Sequence, residues 1–394
     1  MKEVFYDFFK KISLLIIAFF VVLIVISKKE TPNTSNSIIF ERGPDPAVNI
    51  FSKLPYIDES ATSTDTTLKT SQIVKNITEK IQLGSKATEN SSSSPVYKEE
   101  ISKPQTHSIE ELNELGRKAT VNILCSTVFG GPLEPITGSG VIIDKKGIVL
   151  TNAHLAQFFL LKDFPEKDGI DCTIRMGSPA KPMYKAKLAY IPKIWIEENR
   201  KNITSDNPTG TGENDFAILY ITDPIDKNTS RPDEFPFVKA NFVDMTEKST
   251  ASSAYVAVAY PAGFLGGIEI QKDLYANSSV VYAKGIFTFK EKTIDLISVG
   301  GSVVAQKGSS GGALIRQSDG NLTGIVVTTT ADKQTGDRDL RVITTSYINR
   351  ALKNQIGMDL ETFLNEDVSS IADSFAKDVA PYLKQILLTE IIKN

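Results

Sequence analysis

The sequence predicts an all-β fold, a sandwich or a barrel, with an apolar segment before it and a helical tail after it. Two observations carry the β prediction. From Val121 to about Tyr347 the chain is a succession of short runs rich in β-branched and apolar residues. Turn residues, glycine prominent among them, separate those runs. A third observation sets the limits: apolar residues at helical spacing appear before and after that region, at Ile73–Ile81 and at Val368–Val379.

At the N-terminus, Ile12 to Ser27 form a run without charge, bracketed by Lys10–Lys11 and Lys28–Lys29. Such a run is near the length that spans a bilayer and longer than a usual signal-peptide core. No small-x-small cleavage site follows it, so residues 1–30 are expected to be an uncleaved signal anchor, a single transmembrane helix. Residues 31–107 are rich in Ser, Thr and Asn, with no aromatic residue between Tyr56 and Tyr97. This composition cannot bury enough apolar surface to offset the entropy of ordering, and predicts a flexible spacer. Within it, Ile73, Val74, Ile77 and Ile81 are spaced for a short amphipathic helix.

The folded region is expected to start at Ser108, where Ser108-Ile109-Glu110-Glu111 reads as a capping box. The expected strands include Gly140–Ile143, Gly147–Thr151, Cys172–Met176 and Phe216–Tyr220. Later ones are Ala254–Tyr260, Ser279–Phe289, Leu322–Thr329 and Leu340–Thr345. Between them, Lys193 to Gly212 is mostly polar and reads as a surface insertion, although it holds the only tryptophan, Trp195. After the strands, Ser346 is placed to cap a short helix ending at Gly357, and Val368, Ile371, Ala372, Phe375 and Val379 recur at helical spacing before Pro381.

Composition excludes some classes of function. A net charge of -3 gives no reason to expect nucleic acid as a partner. The two histidines, His107 and His154, and the two cysteines, Cys125 and Cys172, show no metal-ligand spacing, so no metal is expected. His107 reads as an exposed linker histidine. For the cysteines, a disulfide and two buried thiols both fit, because sequence does not give their separation.

Three segments of the β region carry chemistry together. Gly147–His154 puts a histidine at the end of a strand, where a short turn would project it. Asn214-Asp215-Phe216-Ala217-Ile218-Leu219 opens an apolar strand with an acid. Gly308-Ser309-Ser310-Gly311-Gly312 surrounds a serine with glycines, which lets the backbone turn tightly and aim N–H groups into one site. A serine hydroxyl needs a base to take its proton, and the imidazole needs a carboxylate to hold its tautomer. The oxyanion needs preorganised donors, for which the backbone N–H groups of Gly308 and Ser310 are the candidates. Each segment alone is more often structural; the three in this order point to acyl transfer.

These residues resemble the trypsin-like serine proteases, and among them the bacterial HtrA/Deg branch. The resemblance lies in GSGVIID, GIVLTNAH, NDFAIL, AYPAG and GSSGGALI followed by GNLTGIVV, within residues 108–350. It implies two perpendicular six-stranded antiparallel barrels with the site in the cleft between them. It implies His154 as general base, Asp215 as its orienting acid, Ser310 as nucleophile and Ser309 as a neighbour, with no cofactor. Val304 then stands where proteases that cut after Lys or Arg place an aspartate, and Val327, Thr328 and Thr329 would line the substrate pocket. Cleavage after small or medium aliphatic residues is expected. The sequence departs from the branch at Gln306-Lys307 before the oxyanion glycine. The helical extension, residues 351–394, is too short for the PDZ domain often found there; it is expected to pack on the barrel or on another copy of the chain.

The expected activity is that of a membrane-tethered serine endopeptidase acting on polypeptides outside the cytoplasm. The alternative is a catalytically silent or regulated module that uses the same barrels to bind peptides.

Overall fold

The structure is a computed structural model and describes residues 39–42, 107–205, 210–289, 292–329 and 338–393. The apolar run 12–27, the amphipathic stretch 73–81 and most of the spacer lie outside the described residues. Among the described residues, no helix is long and apolar enough to cross a membrane.

A short strand, β1 (Ile39–Arg42), falls inside the span read as spacer. Helix α1 (Ile109–Ala119) starts at the capping box read from the sequence: Glu111 N–H donates to Ser108 Oγ at 3.1 Å, and Ser108 N–H to the Glu111 carboxylate at 3.0 Å. Its apolar face buries Leu112 and Ala119. His107 rests partly exposed against the turn at Gly320, where an added Cβ would lie 3.0 Å from its Nε2.

Six strands then close a barrel in the order β2-β3-β4-β7-β6-β5. They are β2 (Thr120–Thr127), β3 (Ile136–Asp144), β4 (Ile148–Thr151), β5 (Ile170–Met176), β6 (Lys181–Tyr190) and β7 (Ala217–Pro224). Helix α2 (Ala153–Leu160) follows β4, and α3 (Lys193–Asn199) with a 3-10 turn at Arg200–Thr204 follows β6. Alternation is clear in β7, where Ala217, Leu219 and Ile221 point into the barrel and Phe216 and Ile218 point toward the second half. Both faces are buried, which is why the strand reads as an unbroken apolar run. Cys125 and Cys172 stand opposite one another on β2 and β5 and form a disulfide, which resolves the alternative left open by the sequence.

The second half departs from the six-stranded barrel that the resemblance implies. It is a sheet of eight strands in the order β1-β10-β11-β14-β13-β12-β8-β9, open between its ends. After α4 (Glu247–Ala251) come β8 (Ala254–Ala259), α5 (Gly267–Lys272), β9 (Asn277–Tyr282) and β10 (Gly285–Thr288). The sheet continues with β11 (Leu296–Gly300), β12 (Ala313–Arg316), β13 (Leu322–Thr329) and β14 (Leu340–Thr344). Only Ala283 and Lys284 separate β9 from β10, yet β9 pairs with β8 and β10 with β11, and the parallel strand β1 covers the free side of β10.

The insertion at Lys193–Thr204 is not a passive surface loop. Trp195, Ile196 and Ile203 are buried and join the first-barrel core. The tail forms α6 (Thr345–Ile356), α7 (Leu360–Asn365), α8 (Val368–Asp378) and α9 (Ala380–Lys393). Thr344, rather than Ser346, caps α6, because its Oγ1 accepts the Tyr347 N–H at 3.2 Å and leaves Ser346 in the first turn. Gly357 ends that helix with φ 74°, the left-handed C-cap that favours glycine. Along α9, Leu383, Leu387 and Ile391 are buried in the first-barrel core against α2 and α3.

Candidate active site

His154 is the second residue of α2, not part of a turn after β4. The difference has a chemical consequence. The first N–H groups of a helix have no partner within it. Asn152, the residue before α2, makes no side-chain cap. Asp215 supplies one instead: its Oδ1 accepts the His154 backbone N–H at 3.0 Å, and its Oδ2 lies 2.8 Å from His154 Nδ1. One carboxylate therefore fixes both the histidine backbone and its ring, and leaves Nε2 as the nitrogen available to a substrate-side partner. Asn152 instead ties down the acid, with Nδ2 donating to the Asp215 carbonyl at 2.8 Å.

The His154 side chain keeps 27% of its surface exposed while that of Asp215 keeps 9%. Burial pushes the imidazole toward neutrality, but the Asp215 charge and hydrogen bond outweigh it and hold the His154 pKa above the ordinary histidine value.

Ser310 lies between the turn at Gly308-Ser309 and the start of β12. Ser139 of β3 binds this turn to the first barrel. Its N–H donates to the Ser310 carbonyl at 2.7 Å, and its Oγ donates to the Gly308 carbonyl at 2.8 Å while accepting the Tyr260 N–H at 2.9 Å. Its carbonyl accepts Thr151 Oγ1 at 2.7 Å, three residues before His154. Close approach makes Gly311 obligatory: at φ 83°, a Cβ there would sit 1.9 Å from the Ser139 carbonyl oxygen. Ser139 is a member of the quoted GSGVIID motif, but its role could not be read there, because it depends on a strand distant in sequence.

The candidate oxyanion donors can be followed through their peptides. The Lys307 carbonyl accepts the Ala262 N–H at 2.7 Å, and the Ser309 carbonyl accepts the Gly312 N–H at 2.9 Å. In a trans peptide the N–H points opposite the carbonyl, so the Gly308 and Ser310 N–H groups face away from these internal bonds. Among the described residues, neither N–H is taken by an internal hydrogen bond. No hydrogen bond joins Ser310 Oγ to the His154 ring among the described residues either; the structure brings histidine and acid together and places the serine on a turn stitched to the same strands.

Of the residues expected to line the substrate pocket, two are buried. Val304 is fully buried in the core of the second sheet. Val327 is buried as well, and its methyls lie 3.1 and 3.3 Å from where a Cβ at Gly212 would stand, so it packs on the loop that carries Asp215. Thr328 and Thr329 belong to β13, but their side chains lie outside the described set. A cavity of about 320 Å³ is lined by Lys146, Tyr220, Arg231 and residues 366–369, and by none of the three candidate catalytic residues. Among the described residues, no group of His, Cys, Asp and Glu is arranged to hold a metal ion.

Residues 138–325, just under half of the chain, match the family model of the trypsin-like peptidase domain. No curated protein matches the sequence. Among solved structures, the serine endoprotease from Yersinia pestis is similar at 19% identity and TM-score 0.38, over 64% of this chain and 67% of that one. Deg5 is similar at 15% identity and TM-score 0.39, over 61% of this chain and 90% of that one.

Proposed function

We propose that the chain is a serine endopeptidase in which Ser310 attacks the peptide carbonyl, His154 takes its proton and Asp215 holds the imidazole. The observation that carries this reading is the double grip of Asp215 on His154 within a domain that matches the trypsin-like peptidases. Attack passes the Ser310 proton to His154 Nε2 and forms a tetrahedral oxyanion, toward which the Gly308 and Ser310 N–H groups donate. Collapse of that intermediate returns the proton to the leaving amine and leaves an acyl-Ser310. Water, deprotonated by the same imidazole, then releases the acid. Each oxyanion donor is worth about 3 kcal/mol in such a transition state. Catalytic contacts are often loose before substrate arrives, so the Ser310–His154 bond is expected to form on binding.

The substrates proposed are polypeptides. Val304, six residues before the nucleophile, offers no carboxylate to a basic side chain, which supports cleavage after small or medium aliphatic residues rather than Lys or Arg. The apolar run 12–27 supports a single membrane anchor, and the Cys125–Cys172 disulfide supports a catalytic domain outside the cytoplasm. Self-association through the tail remains a proposal of the sequence alone. A second reading, a regulated or silent form of the same module, is favoured by one observation: the missing hydrogen bond between Ser310 and His154.

The test is labelling of the full-length chain by a fluorophosphonate probe, beside Ser310→Ala and His154→Ala. Labelling of the parent chain that is lost in both variants is the expected result. A well-folded parent chain that stays unlabelled would overturn constitutive peptidase activity and leave the regulated reading.

A further inference from the structure

Among the described residues, the Asp215 carboxylate takes hydrogen bonds from His154 alone. Val327 of β13, which packs on the loop that carries Asp215, is apolar and has no donor to offer it. The aim of the carboxylate therefore depends on the backbone around it, and that backbone is unusual. Asn214 is left-handed, with φ 59°, a conformation uncommon outside glycine although asparagine is among the residues that tolerate it. The Phe216 N–H donates to the Asn214 carbonyl at 2.9 Å, which folds a tight turn with Asp215 at its centre.

What holds Asn214 there comes from the far side of the chain. Its side chain is buried, and Oδ1 accepts from Tyr347 Oη at 3.2 Å and from Gln355 Nε2 at 2.8 Å. Gln355 Oε1 in turn accepts from Tyr190 Oη at 2.6 Å, so its amide is used at both ends. The two rings are themselves fixed: Tyr190 stacks on Phe216 at 6.0 Å, and Tyr347 meets the edge of Phe289 at 4.9 Å. Burial, followed by the carboxylates Glu213, Asp295 and Glu198, pushes the Tyr347 phenol well above its ordinary pKa, so it remains a donor at any working pH.

We propose that Tyr347 and Gln355, on the helix α6 that follows the second sheet, are positioning residues for the catalytic acid: through Asn214 they hold the turn that aims Asp215 at His154. This rests on the peptidase reading above, and extends it by making the C-terminal helix part of the catalytic geometry. Neither side chain bonds to His154, Asp215 or Ser310 among the described residues; both reach the acid only through Asn214. The arrangement also makes the acid responsive to whatever moves α6.

The chain has only two histidines, so full-length protein carrying ¹⁵N-histidine gives two imidazole titrations, and His154→Ala assigns them. The informative variants are Asn214→Gly, which permits the left-handed backbone but removes the anchor, with Tyr347→Phe and Gln355→Leu. Tyr382→Phe, which removes a hydrogen bond to Glu197 with no link to Asn214, is the control. The expected result is that all three anchor variants move the His154 titration down toward the ordinary value of about 6.5. Their kcat should fall on the order of 10- to 100-fold with KM unchanged, as for a misaimed catalytic group, while the control changes neither. Anchor variants that melt at a lower temperature yet titrate His154 as the parent chain does would overturn the proposal. The titration needs no turnover: if the parent chain fails to label with fluorophosphonate but the anchors still shift His154, constitutive peptidase activity falls and the positioning role stands.

Discussion

At the scale of single residues, Asp215 does two jobs that are usually separate: it caps a helix and orients a histidine. Replacing it with asparagine preserves the shape but loses the charge and permits the wrong imidazole tautomer. We expect Asp215→Asn to lower kcat by about 10⁴-fold, the effect of this change in a buried triad. The pH dependence follows from the raised His154 pKa. Only neutral His154 can accept the serine proton, so kcat/KM should rise with pH along a limb lying above the ordinary value of about 6.5. Stability runs the other way. A folded-state pKa above the unfolded one means the charged pair stabilises fully below pH of about 6.5 and that this contribution is lost as pH rises through the folded pKa. A pH–rate profile and melting curves of the parent chain and Asp215→Asn check both directions.

At the scale of elements, two joints carry the site. One is the approach of β3 to the serine turn, where Gly311 leaves no room for a side chain. Gly311→Ala would place a methyl in the Ser139 carbonyl and force a non-glycine residue to φ 83°. The backbone strain alone is about 1–3 kcal/mol. We expect lost fluorophosphonate labelling and a lower urea midpoint. The other joint is the β2–β5 pairing closed by Cys125–Cys172, which spans 47 positions. Cross-linking a loop of this size removes unfolded-state entropy worth up to about 4 kcal/mol. Reduction with dithiothreitol should therefore lower stability by roughly 2–4 kcal/mol, read from urea unfolding with and without reductant.

At the scale of the whole molecule, the C-terminal helices cross back from the second sheet to the first barrel. Helix α6 reaches the acid loop through Asn214, and α9 packs on α2, the helix that bears His154. Leu387 is fully buried in the first-barrel core, so Leu387→Ala should cost about 2–5 kcal/mol. Removing residues 380–394 should do more, because it uncovers Trp195, Ile196 and Phe158 together. The measurement is the urea midpoint of each variant alongside its labelling rate. If labelling survives deletion of α9 unchanged, the tail is not coupled to the histidine helix.

By itself the sequence determined the features that depend on near neighbours. Short β-branched and apolar runs between turn residues marked most strands, since such side chains suit a pleated, buried surface. Ser108 and Glu111 announced their helix because a capping box is complete within four residues. His154, Asp215 and Ser310 stood out because glycines, an acid and a histidine each sat in a local setting suited to acyl transfer. Only the tertiary structure decided the rest, and each case involves partners far apart in the chain. The second half became an open sheet because closure depends on pairing between strand edges, and the helical face of Trp195, Ile196 and Ile203 gained meaning only with α9 beside it. Val327 turned toward Gly212, Ser139 took hold of the serine turn, and Asn214 found Tyr347 and Gln355 more than 130 positions away. Local patterns fix which way a chain bends and which side chains prefer burial. Which distant groups then meet is set by register and packing, and the contact of Asp215 with His154, 61 positions apart, is of that second kind.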